Sequence, residues 1–157
     1  MLKNIFLKNK NSEVIISPVA GNIIPIESVN DEVFSSKMMG DGFAVEPTEN
    51  EVKVPVSGKI AMLYPSLHAF GIETSNGINI LVHIGIDTVS LNGKGFKSMI
   101  KENQKVKAGE SAIIADFNYI KNQGYGVTVM VIVTDSSSFD TLTKNLQNPN
   151  EVLTLSN

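Results

Sequence analysis

Ile78-Asn79-Ile80-Leu81-Val82-His83-Ile84-Gly85-Ile86-Asp87 is the stretch whose alternation decides the fold. Its even positions are all apolar, while Asn79, His83, Gly85 and Asp87 fall on the odd ones, the period-two signature of a strand with one face in a core. Before it runs a second strand-like segment, His68-Ala69-Phe70-Gly71-Ile72-Glu73, and between the two lies Ser75-Asn76-Gly77. Asn-Gly between apolar runs is the strongest short-range mark of a two-residue hairpin, because both central positions of that turn need positive φ. If Asn76 and Gly77 are the loop, Ser75 faces Ile78, Glu73 faces Ile80, Phe70 faces His83 and His68 faces Gly85.

His68 and His83 are the only two histidines of the chain. In that register they share the face opposite the apolar stripe and sit diagonally, with Cα atoms ~7–8 Å apart. Asp87, four residues after His83, falls on the same side, and Gly85 leaves the space opposite His68 open. One histidine in a β-rich chain is most often structural. A pair on one face, opposite a clean apolar stripe, points to a site instead.

The rest of the chain extends the β pattern. Short β-branched runs recur at Val14 to Ile16, Ile23-Ile24, Ala44-Val45, Val52 to Val54, Lys59 to Leu63, Ser111 to Ala115 and Thr128 to Thr134. Turn chemistry separates them at Gly40-Asp41-Gly42, Asn92 to Gly95, Ala108-Gly109-Glu110 and Gly124-Tyr125-Gly126. Pro18-Val19-Ala20-Gly21-Asn22-Ile23 is echoed by Pro55-Val56-Ser57-Gly58-Lys59-Ile60, one turn-and-strand unit later. The expectation is an all-β fold, an antiparallel β-sandwich, barrel-like, with a duplicated hairpin motif and a few short helical turns. Phe96 to Lys101, Asn118 to Asn122 and Ser138 to Leu146 are the expected helical segments. Residues 1–157 read as one domain, with 1–12 as a loosely ordered N-terminal lead.

Composition narrows the function classes. A net charge of −3 with no long run of either sign gives no support for nucleic-acid or anionic-membrane binding. Zero cysteines exclude a disulfide framework and any intermediate carried on sulfur. No apolar run approaches the ~20 residues of a membrane helix, so a cytoplasmic protein without membrane insertion is expected. Gly93-Lys94-Gly95 is too short for a phosphate loop, and direct use of a nucleotide is not expected.

Two neutral imidazoles suit phosphoryl transfer. With a reference pKa of ~6.5, a histidine offers a lone pair at neutral pH without a separate base. Charge in the transition state gathers on peripheral oxygens, where a second imidazole can donate a hydrogen bond. Ser66, on the same face as His68 if the strand extends that far, would orient a ring nitrogen or bond a phosphoryl oxygen. Neither cofactor nor metal is required; two histidines and a carboxylate are a known ligand set, but with no His-x-His pair and no His-Glu-x-x-His, zinc at His68 and His83 would be adventitious and not catalytic. The Pro-Val-x-Gly repeats also allow a biotinyl or lipoyl carrier, with Lys37 beside Met38 the one faint candidate for the modified lysine. That chemistry gives the histidine pair no role. Asp31 to Phe34 and Met38-Met39 read as loop and core, with a contact patch as the alternative.

Taken together, several motifs carry a family resemblance: Ser17-Pro18-Val19-Ala20-Gly21, Gly40-Asp41-Gly42-Phe43-Ala44, Val54-Pro55-Val56-Ser57-Gly58, His68-Ala69, Ile80 to Val89, and Leu91-Asn92-Gly93-Lys94-Gly95-Phe96. Nearly the whole chain resembles the glucose-type enzyme IIA component of the bacterial phosphoenolpyruvate-dependent sugar phosphotransferase system. The resemblance implies a phosphocarrier in which His83 accepts the phosphoryl group from phospho-HPr and passes it to a cysteine on the IIB domain of a sugar permease. It makes His68 the histidine that stabilises the group and its transfer, with Ser66 where threonine is common. Asp31 and Asp87 match acidic residues at the rim, and Val33, Phe34, Met38, Met39, Tyr64, Leu81 and Val89 match an apolar patch that docks partners. Some members of the family are instead regulatory modules whose phosphorylation state selects protein partners. The chain departs from the family at Ala115, where phenylalanine is common, and over Met130 to Asp135, where proline and asparagine are common; both departures are expected to lie away from the site.

Overall fold

The structure, a computed structural model, describes residues 12–156, so nearly all of the expected N-terminal lead lies outside the described residues. Among the described residues, thirteen strands and two short α-helices follow one another: β1 (Glu13–Ile15), β2 (Gly21–Pro25), α1 (Glu32–Ser35), β3 (Asp41–Pro47), β4 (Glu51–Lys53), β5 (Gly58–Leu63), β6 (Ala69–Glu73), β7 (Asn79–Ile86), β8 (Phe96–Ser98), β9 (Lys105–Val106), β10 (Ser111–Ala115), α2 (Phe117–Asn122), β11 (Gly126–Val133), β12 (Thr141–Lys144) and β13 (Leu153–Ser156). Seven strands form the main sheet in the order β2-β3-β11-β7-β6-β5-β9, and two three-stranded sheets, β4-β10-β8 and β1-β13-β12, complete the fold. All neighbours are antiparallel.

The architecture is the expected antiparallel sandwich, and strand alternation explains it. Phe43, Val45, Phe70, Ile72, Ile80, Val82, Ile84, Val129 and Val131 project from one face of the main sheet into a core shared with Val52, Ile113, Leu153 and Leu155 of the smaller sheets. The opposite face is not simply open to water. Ala44, Ala69, Leu81, Met130 and Ile132 form a second, smaller core there with Ile26, Val29 and Phe34, which the β2–β3 connection lays across the sheet. β11 is therefore buried on both faces, and its run Val129 to Val133 is apolar without alternation.

The hairpin between β6 and β7 differs from the sequence expectation by one residue. Glu73 pairs with Asn79, Ile72 with Ile80, Phe70 with Val82 and Ala69 with His83. Ser75-Asn76-Gly77 form a three-residue loop: Gly77 N donates to Thr74 O and Thr74 N to Ile78 O, both at 2.9 Å, and only Gly77 of the three takes positive φ (81°). That is the geometry of a type I turn followed by one left-handed residue. Thr74 Oγ1 holds it by accepting from Ile78 N at 3.1 Å. A one-residue slip flips every side chain. The two-residue loop would have put Phe70 and Ile72 on the face of His83, whereas the three-residue loop sends them into the main core.

Two of the three expected helices are strands. Phe96–Ser98 is β8, paired with β10, and Thr141–Lys144 is β12, paired with β13 through Leu142 and Leu155. Only a 3-10 turn, Ser136–Ser138, stands at the start of the last segment. The third expectation corresponds to α2, capped by Asp116, whose carboxylate accepts from Tyr119 N at 3.0 Å. The repeated Pro-Val-x-Gly motif opens β2 and β5. A Cβ on Gly21 would stand 2.1 Å from Glu46 O, and one on Gly58 2.4 Å from Glu73 O, so each copy marks a strand start pressed against its neighbour's carbonyl.

Candidate functional site

The two imidazoles meet on the second face of the main sheet, with ring centroids 5.1 Å apart and planes at 78°. They reach that arrangement by a route the hairpin count did not foresee. His83 projects from β7 on the side of Leu81. In the observed register, strict alternation would send residue 68 to the other side. His68, however, stands outside β6, in a bend that follows Leu67 (φ 60°), so alternation does not govern it. Leu67 N donates to Tyr64 O at 2.8 Å, closing the turn, and Ile84 N donates to His68 O at 2.7 Å, tying the bend to β7.

The same bend removes Ser66 from its expected place. The strand does not extend that far: Ser66 lies in the Tyr64 to Leu67 turn, and among the described residues no hydrogen bond joins it to either imidazole. The expected orienting role is instead filled at His83 by backbone. Nδ1 of His83 lies 2.9 Å from Gly85 O. A carbonyl can only accept, so Nδ1 carries the proton and the lone pair is on Nε2. The bond forms because Gly85 takes φ 79°, which turns its carbonyl back toward the ring two residues earlier.

Around the rings the walls are aromatic and apolar. Phe34, 5% exposed, stands 5.0 Å from the His83 ring, and Tyr64 stands 5.5 Å from His68. Phe34 is delivered by α1, a single turn that sequence reading treated as loop. Asp31 caps it by accepting from Val33 N at 2.9 Å, and Glu32 follows in the first turn, a cap signature that was present in the sequence. Lys37, just beyond, is ion-paired to Glu27 at 3.3 Å and to Asp41 at 3.7 Å, and Lys144 reaches Asp41 at 2.6 Å. Lys37 is thus a brace for this connection and not a lysine at a hairpin tip, which removes the carrier reading.

The expected docking patch divides into floor and rim. Phe34 and Leu81 are buried, at 5% and 7% exposure, and belong to the second core. Val33, Met38 and Val89 are exposed, and Met39 and Tyr64 are half-buried. A shallow groove of about 240 Å³ lined by Met39, Met62, Tyr64, Gly71 and Leu81 continues the rim; Met62 and Gly71 were not anticipated. Another unanticipated neighbour is Met130, which pairs directly across the ladder from His83 and is fully buried. The departure from the family pattern at this position therefore lies beside His83, not away from the paired imidazoles. Only the placement of β11 beside β7 brings it there.

Burial sets the electrostatics. It pushes the His83 imidazole down to about 4, helped by the proximity of His68, and opposed by the Gly85 carbonyl and by the charges of Asp31 and Asp87. Burial also lowers His68. Both rings are neutral at pH 7. His68 is 5% exposed, and among the described residues its buried Nδ1 has no hydrogen-bond partner. Among the described residues no group of three or more His, Asp or Glu side chains is placed to hold a metal ion. The arrangement offers a neutral nucleophile of fixed tautomer, a second imidazole with unused hydrogen-bonding capacity and an apolar rim for a macromolecular partner.

Residues 13–139 match the family model of the phosphoenolpyruvate-dependent sugar phosphotransferase system, EIIA 1. The fold is also similar to the solved structure of the glucose permease IIA from Mycoplasma capricolum, with a TM-score of 0.82 and 36% sequence identity over 91% of this chain and 95% of that one. Sandwich topology, the paired imidazoles and these matches lead to one conclusion: the chain belongs to the EIIA 1 family and is a phosphoryl-carrying component of the phosphoenolpyruvate-dependent sugar phosphotransferase system.

Proposed function

We propose that Nε2 of His83 is the phosphoryl acceptor, that phospho-HPr is the donor and that a cysteine on the IIB domain of a sugar permease is the recipient. The observation that carries this reading is the Nδ1 to Gly85 O bond at 2.9 Å, which leaves Nε2 as the nucleophilic atom beside His68. As the bond from phosphorus to Nε2 forms, the bond from phosphorus to the donor atom breaks and its electron pair stays with the donor. Nδ1 keeps its proton, so the ring of phosphorylated His83 is an imidazolium and the Gly85 carbonyl stabilises it. That charge makes the imidazole a good leaving group for the second transfer, in which the pair returns to Nε2.

His68, its ring 5.1 Å from that of His83, supplies the hydrogen bond to a peripheral phosphoryl oxygen. Donor and recipient dock in turn on the rim formed by Val33, Met38, Met39, Tyr64 and Val89, with Asp31 and Asp87 beside it. The reading places the protein in the cytoplasm; no helix among the described residues is long and apolar enough to cross a membrane. Incubation with phosphoenolpyruvate, enzyme I and HPr tests it. One acid-labile, base-stable phosphate per chain is expected, and labelling that survives His83→Gln refutes the assignment of the acceptor.

A further inference from the structure

Thr88 is fully buried, and its hydroxyl donates to Ile84 O at 2.5 Å. Between that donor and acceptor the chain takes two left-handed residues, Gly85 at φ 79° and Asp87 at φ 62°. A non-glycine residue there is costly and persists only where its surroundings over-determine it. Thr88 supplies much of that determination. The hydroxyl joins the two ends of the bend, and the methyl fills its inside: a Cβ on Gly85 would stand 2.4 Å from Thr88 Cγ2 and 2.8 Å from Gly126 O. The pairing of β7 with β11 is irregular between Gly126 and Val129, so the regular ladder is interrupted beside this bend. Ile84, whose carbonyl Thr88 holds, also donates its N–H to His68 O at 2.7 Å.

We propose that Thr88 is a positioning residue for phosphoryl acceptance: it fixes the bend that aims Gly85 O at Nδ1 of His83 and so keeps the lone pair on Nε2. The inference rests on the reading of His83 as the acceptor. Among the described residues no hydrogen bond joins Thr88 to the imidazole. Thr88 acts through the Ile84 and Gly85 carbonyls, and one hydroxyl orders the backbone next to both histidines.

Thr88→Val keeps the shape of the side chain and removes the donor. In the full chain, 15N NMR reads the His83 tautomer, and rapid-quench labelling with phosphoenolpyruvate, enzyme I and HPr reads acceptance. The valine variant is expected to show a mixed tautomer in place of the Nδ1–H form and acceptance slowed about tenfold to a hundredfold, the usual scale for a misplaced reacting group. Thr88→Ser restores the donor and is expected to rescue both readouts. A folded valine variant with wild-type tautomer and rate overturns the proposal, as does a serine variant impaired as much as valine. If the valine variant does not fold, the wild type decides. The proposal requires a slowly exchanging Thr88 hydroxyl proton and a dominant Nδ1–H tautomer, and fast exchange or an even tautomer mixture overturns it. Because the tautomer readout needs no phosphoryl donor, it is separate from a failure of the phosphocarrier reading, which shows as labelling that survives His83→Gln.

Discussion

Lowering the pH from 7 to 4.5 should destabilise the protein through His83, and His83→Gln should remove that part of the loss. The folded state holds the imidazole at about 4 against an unfolded reference of 6.5. Neutral histidine is the form the fold accepts, so the contribution is constant above the unfolded value and stability falls as the pH drops from about 6.5 toward about 4. At pH 4.5 the unfolded ring is almost fully protonated and the folded ring largely is not, which amounts to about 2 kcal/mol, after a discount for the ring's partial exposure, at 1.36 kcal/mol per unit. Burial raises the Asp41 carboxyl, but Lys144 and the Gly42 N–H together outweigh it and hold it below its usual 3.8, so it acts at lower pH. Its contribution is present above the unfolded value and is lost only as pH falls through the folded one. His68, lowered by burial, acts in the same window as His83 and is common to wild type and variant. Urea unfolding of the wild type and His83→Gln at both pH values gives the double difference, and an NMR titration of His83 gives the cause. A variant that loses as much stability as the wild type between pH 7 and 4.5, or a His83 resonance that titrates near 6.5, refutes the argument. The functional corollary is that acceptance of a phosphoryl group should not decline through the protonation of His83 until the pH is below about 5.

His68→Gln should still accept the phosphoryl group, while onward transfer to the IIB domain falls about 10²–10³-fold, the scale for losing one transition-state donor; equal loss of acceptance in His68→Gln and His83→Gln would instead indicate a joint site. Asp31→Ala removes the cap of α1 and should cost about 1 kcal/mol in urea unfolding. A cost within error of zero would show that the ion pairs of Lys37 hold the connection without the cap.

The face of β7 that carries His83 was legible because Ile80, Val82 and Ile84 repeat at period two, and that signal depends on no partner strand. The register was not, because Asn-Gly by itself favours a two-residue loop, in conflict with the pattern of β6. Phe70 and Ile72 must share the face of Val82 and Ile80, and only a three-residue loop allows it. The closeness of the two rings was anticipated on the wrong geometry: the slipped register would separate them, and the bend after Leu67 brings His68 back. A left-handed leucine leaves no mark in composition. The helices expected at Phe96 and Ser138 became strands because β10 and β13 pair with them, a tertiary effect that local propensity does not contain. Val33, Met38 and Val89 stand exposed, but Phe34 and Leu81 are covered, since residues 26–34 of the same chain fold over the sheet and no period within β7 encodes that lid.

The central position of β11 governs when β7 takes its final arrangement. β11 stands between β3 and β7, pairing Val129 with Val45 on one side and Met130 with His83 on the other. As the chain leaves the ribosome, β3 and β7 are made long before the strand that joins them, and each waits with an open edge. Closing such distant pairings is the slow step of β folding, and exposed edges are then open to wrong partners. His83 is made well before Met130, its neighbour across the ladder in β11, so one flank of the ring is completed only when β11 arrives. A nascent or truncated chain ending before β11 therefore carries both imidazoles without the strand that flanks His83, and the final arrangement of β7 waits on the pairing with β11.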